Sequence, residues 1–183
     1  IELPQIIRLA RREVAEKGKP IPVIAELERK LVETRNPYGE PIERRFSRIN
    51  AKFKGKKKGD ILFFIGCTSA YKRPEIPNSM INIFNTIGAD YIILQEEICC
   101  GKPLLDAGYF EQAKKFASKL ADAIDRTNCN SLVVGCPSCY YMFKTIYPEE
   151  FGINLGIEIL HTSEYLDRIL AEDKIKLKAY NKK

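Results

Sequence analysis

Five of the six cysteines in this 183-residue chain follow an ordered spacing: Cys67, then 31 residues, Cys99-Cys100-Gly101, then 34 residues, then Cys136-Pro137-Ser138-Cys139. Thiolate sulfur is a soft donor that selects iron–sulfur clusters, zinc or copper(I) over hard cations. Thiolates crowded together repel one another, and helix N-termini lower their pKa, so such a group suits a bound cation. The question for the rest of the sequence is whether it brings residues some 30 positions apart into one place.

The apolar runs supply an answer. Ile61–Gly66, Tyr91–Leu94, Leu132–Gly135 and Ile157–Leu160 read as strands, the first a continuous apolar run of the kind buried on both faces of a sheet. Helical periodicity lies between them: residues 75–88 with Met80, Ile81, Phe84 and Ile87 inward, about 109–128, a helix from Pro137, and 163–171. Strands alternating with helices predict an α/β fold, a parallel sheet of about four strands flanked by helices with right-handed crossovers. Cys67 would end the first strand, Cys99 and Cys100 would come after the second, Cys136 would end the third, and Cys139 would sit in the next helical turn. All five then lie at the carboxyl edge of the sheet, where α/β sheets bind ligands.

Competing readings of the cysteines are weaker. Free cysteine often packs as a small buried apolar residue, but that gives no reason for five to share one sheet edge. Cys136-x-x-Cys139 at a strand-to-helix junction also has the form of a thioredoxin-like redox pair, a reading that leaves three further cysteines unused. Cys129 precedes the third strand, away from that edge, and is read as packing.

Two short amphipathic helices open the chain. Ile6, Ile7, Leu9, Ala10 and Val14 form one stripe, Gly18 and Pro20 break it, and Val23, Ile24, Leu27 and Leu31 restart it. They show no partner in the chain and are read as an extension. Asn36-Pro37-Tyr38-Gly39 is a turn signal. Residues 44–58 carry eight Lys or Arg and no acid, which accounts for the net charge of +6 and leaves the remainder at −2. That stretch, with Phe46 and Phe53, is read as a solvated connector, since no nucleic-acid motif or second basic face accompanies it.

The 45% hydrophobic and 30% charged composition is that of a globular chain. No apolar run approaches the ~20 residues of a membrane-spanning helix, and no retained signal peptide is expected. Six cysteines are too few for a disulfide scaffold. Gly101 would let the backbone turn tightly beside the paired cysteines. Lys102 would offset negative charge, and His161, the only histidine, is read as structural. No paired carboxylates, Ser-His-Asp set or glycine-rich phosphate loop stands out.

The five ordered cysteines, with Gly101 after the pair, resemble the CCG cysteine-rich domain found in the B and D subunits of heterodisulfide reductases. The same domain occurs in the iron–sulfur subunits of lactate-utilisation, glycolate oxidase and anaerobic glycerol-3-phosphate dehydrogenase systems, and of an unusual succinate dehydrogenase type. The resemblance covers about residues 60–170. It divides the chain into a helical leader and basic connector, 1–58, which in the family comes after a ferredoxin-like domain, and a CCG domain, 59–183, the first of a pair in a longer subunit. It implies that Cys67, Cys99, Cys100, Cys136 and Cys139 hold a noncubane [4Fe-4S] cluster, with structural zinc as the alternative. It implies an oxidoreductase subunit, inactive as an isolated fragment, that takes electrons from a flavin or ferredoxin-type donor and passes them to a disulfide substrate. The alternatives are an electron relay for a flavin dehydrogenase of a 2-hydroxy acid or glycerol 3-phosphate, and a zinc-stabilised assembly domain without redox function. Expected partners are other subunits of a redox complex, with no nucleic acid. The expected location is cytoplasmic, peripheral to the membrane through those partners.

Overall fold

The computed structural model describes residues 3–49 and 59–177. Four parallel strands, β1 (Ile61–Phe64), β2 (Tyr91–Ile93), β3 (Ser131–Val134) and β4 (Glu158–His161), form one sheet in the order β2-β1-β3-β4. In register, Ile61 pairs with Tyr91 on one side and Ser131 on the other, and Ser131 pairs in turn with Glu158. The chain leaves β1 towards β2 and leaves β3 towards β4, so the strand order reverses between β1 and β3. In an open α/β sheet that reversal opens a crevice at the carboxyl ends of the two central strands.

Successive strand residues face opposite sides, and the two phenylalanines that close β1 anchor the two layers. Phe63 packs edge-on to Phe84 of α4 (Glu75–Thr86), whose ring also meets Tyr91 and Tyr165 of α9 (Thr162–Ala171). Phe64 meets Phe143, which leads through Tyr147 and Phe151 to Phe110 of α6 (Phe110–Asp125). The α6 stripe of Ala113, Ala117, Leu120 and Ile124 is buried, as its helical spacing predicts.

Short helices begin at the cysteines: α3 (Cys67–Tyr71), α5 (Lys102–Asp106) and α7 (Pro137–Tyr141). After α7 the chain widens into a π-helical turn, Met142–Ile146, before α8 (Tyr147–Glu149). Pro148 explains the widening. It has no N–H to donate and its ring crowds the carbonyl four residues back, so the Tyr147 N–H reaches Met142 O instead.

The leader departs from the sequence reading. Its helices, α1 (Leu3–Glu16) and α2 (Pro22–Thr34), do have a partner in the chain: both pack on α5. Arg11 Nη1 donates to Asp106 O at 2.8 Å, Arg8 pairs with Glu150 at 2.9 Å, and Arg12 lies 4.6 Å over the Phe110 ring. Gly108 permits the approach, since a Cβ there would stand 2.5 Å from the Arg11 backbone. A five-residue helix gives the sequence too little periodicity to advertise a docking face. The connector is also corrected: Arg45 is fully buried, Ile49 is buried and Phe46 packs partly buried against the core, so this end of the stretch is not solvated. Phe53 and the lysines of 52–58 lie outside the described residues. Among the described residues, no helix is long and apolar enough to cross a membrane.

Candidate metal centre at the carboxyl edge

The structure brings Cys67, Cys99, Cys100, Cys136 and Cys139 to the crevice end of the sheet, all as free thiols. Two that the sequence places at strand ends stand instead at helix starts. Cys67 is the first residue of α3, reached through Ile65 and Gly66, and Cys136 is the N-cap of α7. The difference matters because a helix start offers backbone N–H groups with no intrahelical partner. The backbone N–H groups of Ser138 and Cys139 help hold the Cys136 thiol below its ordinary range, and that of Lys102 does the same for Cys100. Gly66 (φ +80°) faces the Cys136 Cβ and the Cys139 Sγ, and Gly101 (φ +91°) makes the αL turn into α5. A Cβ at Gly101 would press on Ala113 O at 3.1 Å.

The five thiols interact in a chain, Cys67 with Cys99, Cys99 with Cys100, Cys100 with Cys139, and Cys139 with Cys136. Their proton affinities diverge accordingly, with Cys100 and Cys136 lowered and the other three raised. Donation from Cys139 lowers Cys100, and donation from the same thiol, with the helix-start N–H groups, brings Cys136 down to about 6. Cys139 is pushed up by its bonds to Cys100 and Cys136 and by burial, and Cys67 by its bond to Cys99 and by burial. Cys99 is raised chiefly by Cys100. Cys136 is half-buried and the other four are buried. Among the described residues, no three His, Cys, Asp or Glu side chains converge as a ready site for a single ion.

Residues from outside the cysteine pattern complete the site. Asn36, at the leader's turn, is fully buried: its Oδ1 accepts from the N–H groups of Tyr38 and Glu40, and its Nδ2 donates to the carbonyls of Thr34 and Glu40. This turn brings Arg35 O to the Cys99 N–H at 3.0 Å and the Tyr38 hydroxyl to Thr68 Oγ1 at 2.8 Å. Beneath it lies a buried ion pair, Arg45 with Glu97, and Arg45 Nη1 donates to Cys67 Sγ at 3.6 Å. Behind the paired cysteines, the buried Tyr147 hydroxyl donates to Cys100 O at 3.0 Å.

Arg45, Glu97 and Tyr147 escape the sequence reading. Arg45 is hidden in a basic run. Glu97 follows Gln95 and Glu96, and its nearness to Cys99, two residues on, is the one visible signal. Lys102 contributes its N–H to Cys100, while its ammonium pairs with Asp106. His161 caps α9: Nδ1 accepts the Ser163 N–H at 3.3 Å, and its own N–H donates to Glu164 at 2.7 Å. Cys129 lies at the other end of β3, buried, its thiol raised by that burial.

Comparison with known proteins matches residues 61–144 to the family described as "CCG: Cysteine-rich domain". The chain is 28% identical over 145 residues to the D subunit of the dihydromethanophenazine:CoB–CoM heterodisulfide reductase of Methanosarcina acetivorans, an overlap of 77% of this chain and 36% of that protein. It is 29% identical over 137 residues to the C subunit of the anaerobic glycerol-3-phosphate dehydrogenase of Escherichia coli, covering 72% of this chain and 35% of the relative. It is 26% identical over 131 residues to lactate utilization protein A 2 of Bacillus cereus, covering 67% and 53%. The match thus spans about a third of the length of the first two relatives. No solved structure matches the chain.

Proposed function

From the match of residues 61–144 to the CCG cysteine-rich domain family, we propose that the chain is part of the iron–sulfur subunit of a heterodisulfide reductase-like oxidoreductase, in which Cys67, Cys99, Cys100, Cys136 and Cys139 hold a noncubane [4Fe-4S] cluster. The observation that carries this reading is the unbroken chain of five interacting thiols at the sheet's crevice. Four thiolates saturate a cubane cluster or a structural zinc. A fifth in the same interacting set asks for a larger or more open group. When bound, the cluster supplies one-electron uptake and release.

The chain's own residues prepare that site. Thiolate is the form that ligates metal, and Cys100 and Cys136 are the two whose surroundings favour it. Cys67, Cys99 and Cys139 release their protons as metal binds. Gly66 and Gly101 keep the backbone close, and the leader turn fixes Cys99 through Arg35. The half-buried Cys136 lies on the side open to a disulfide substrate or a partner. The leader fits an arrangement in which a ferredoxin-like domain precedes it and delivers electrons, with a flavin or ferredoxin-type subunit as donor.

A second reading, an electron relay for a dehydrogenase, draws on the 29% identity to the glycerol-3-phosphate dehydrogenase protein. Both readings stand or fall on the cofactor. Anaerobic reconstitution with iron and sulfide should give a brown protein with about four irons per chain. Stoichiometric zinc with negligible iron under the same conditions would overturn both.

A further inference from the structure

Arg45 is fully buried and is the most voluminous of the fully buried side chains. Its guanidinium is divided between two neighbours. Nε and Nη2 both point at Glu97 Oε1, with Nε at 3.1 Å, while Nη1 stands 3.6 Å from Cys67 Sγ. Glu97 is held in turn by the backbone just ahead of that cysteine: Gly66 N–H donates to Oε1 and Ile65 N–H to Oε2, each at 2.8 Å. Tyr71 flanks the guanidinium, 5.7 Å from its ring centroid. One carboxylate therefore fixes both the segment that delivers Cys67 and the cation that faces it. The pair is oriented, its positive end on the thiol and its negative end on backbone donors.

Stability alone is a poor reason for such a pair. A buried ion pair seldom outperforms well-packed apolar residues of the same volume, because desolvation offsets the attraction. A set of thiolates gives the oriented cation a purpose. Among the described residues, Arg45 is the cationic side chain hydrogen-bonded to one of the five sulfurs, the Lys102 ammonium being taken by Asp106. Hydrogen bonds to ligand sulfurs and local net charge set the potential of an iron–sulfur group.

We propose that Arg45, aimed by Glu97, is a positioning residue that donates to the Cys67 sulfur and raises the reduction potential of the group bound there. The inference rests on the iron–sulfur reading above. Arg45 stabilises the more negative, reduced form more than the oxidised one. Glu97 sets the size of that effect by partly neutralising the cation.

The test uses the full 183-residue chain, reconstituted anaerobically with iron and sulfide, as wild type, R45K, E97Q and R45M/E97Q. Iron per chain and the midpoint potential, from dye-mediated titration followed by visible absorption and electron paramagnetic resonance, are read together. Removing the carboxylate while keeping the cation, in E97Q, should raise the potential. Removing both, in R45M/E97Q, should lower it below wild type. R45K keeps the charge but cannot serve Glu97 and Cys67 at once, so its potential should fall between those of wild type and R45M/E97Q. Shifts of one sign in all three variants, or an R45M/E97Q potential equal to wild type with iron bound, would overturn the proposal. Should R45M/E97Q fail to fold or take up iron, R45K decides, and a wild-type potential there overturns the proposal. Wild type without iron would overturn the cofactor reading itself, which separates the two failures.

Discussion

Cys129 and Cys136 stand at equal distances outside the two ends of β3, each two residues from the strand, and they have opposite chemistry. Cys129 is buried with its thiol pushed up by that burial, eased only by a bond to Thr127. Cys136 is half-buried and brought down to about 6 by Cys139 and by the N–H groups of a helix start. Roughly 20 Å of extended chain separates them. Burial by itself makes a cysteine an inert apolar residue. A ligand thiol needs donors around it, and in this fold the carboxyl ends of the strands, where helices begin, provide them.

The largest test of that contrast is metal content. Cys100→Ser and Cys139→Ser, which interrupt the thiol chain at its middle, should lose most of the roughly four irons expected for the reconstituted protein. Cys129→Ser should keep the wild-type amount. Equal loss in all three, measured by iron and sulfide analysis, would erase the distinction between the two ends of the strand.

Reactivity in the metal-stripped, reduced protein gives a finer measure. The thiolate is the nucleophile, so a lowered pKa brings alkylation on at lower pH. The rate at Cys136 should rise through a midpoint near pH 6 and level off above it. Cys129, raised from 9.0, should begin to react only as the pH passes 9. At pH 7.5 the thiolate fractions and the differing access favour Cys136 by about tenfold or more, measurable by peptide mass spectrometry after timed iodoacetamide pulses. Matching pH profiles would show that neighbours have no influence at the carboxyl end.

The next effect concerns the scaffold, which should not depend on what it holds. The sheet is tied by the apolar packing of Phe63, Phe64, Phe84 and the α6 stripe, which needs no metal. Stripping metal anaerobically should leave the helical circular dichroism signal essentially intact, unlike a zinc finger, which unfolds without its ion. Loss of that signal would mean that the carboxyl edge holds up the sheet. Smallest is Tyr147→Phe, which removes the bond to Cys100 O from a buried site. It should cost about 1 kcal/mol, read as a melting temperature lower by about 2–4 °C. Among the described residues no side chain bonds the Cys129 carbonyl in this way, so the alkylation profile of Cys129 should be unchanged in the same variant.

The sequence by itself determined the sheet and the edge on which the cysteines lie. Ile61–Phe64, Tyr91–Ile93 and Ser131–Val134 are apolar runs that announce strands buried on both faces, and parallel connections then place the segment after each strand at one edge. The placement of Cys67, Cys99, Cys100, Cys136 and Cys139 at that edge was legible for that reason, and so was the place of Cys129 at the opposite end of β3. The tertiary structure added α3 and α5, five residues long and too short for periodicity to reveal, whereas the helix from Pro137 was already expected. It decided that the leader docks on α5, which turns on a missing Cβ at Gly108. It also decided that Arg45 is inside. A charge can be buried when a partner is waiting, and the partner, Glu97, lies 52 residues away. Local sequence records each residue's own preference, but only the folded chain records whom it meets.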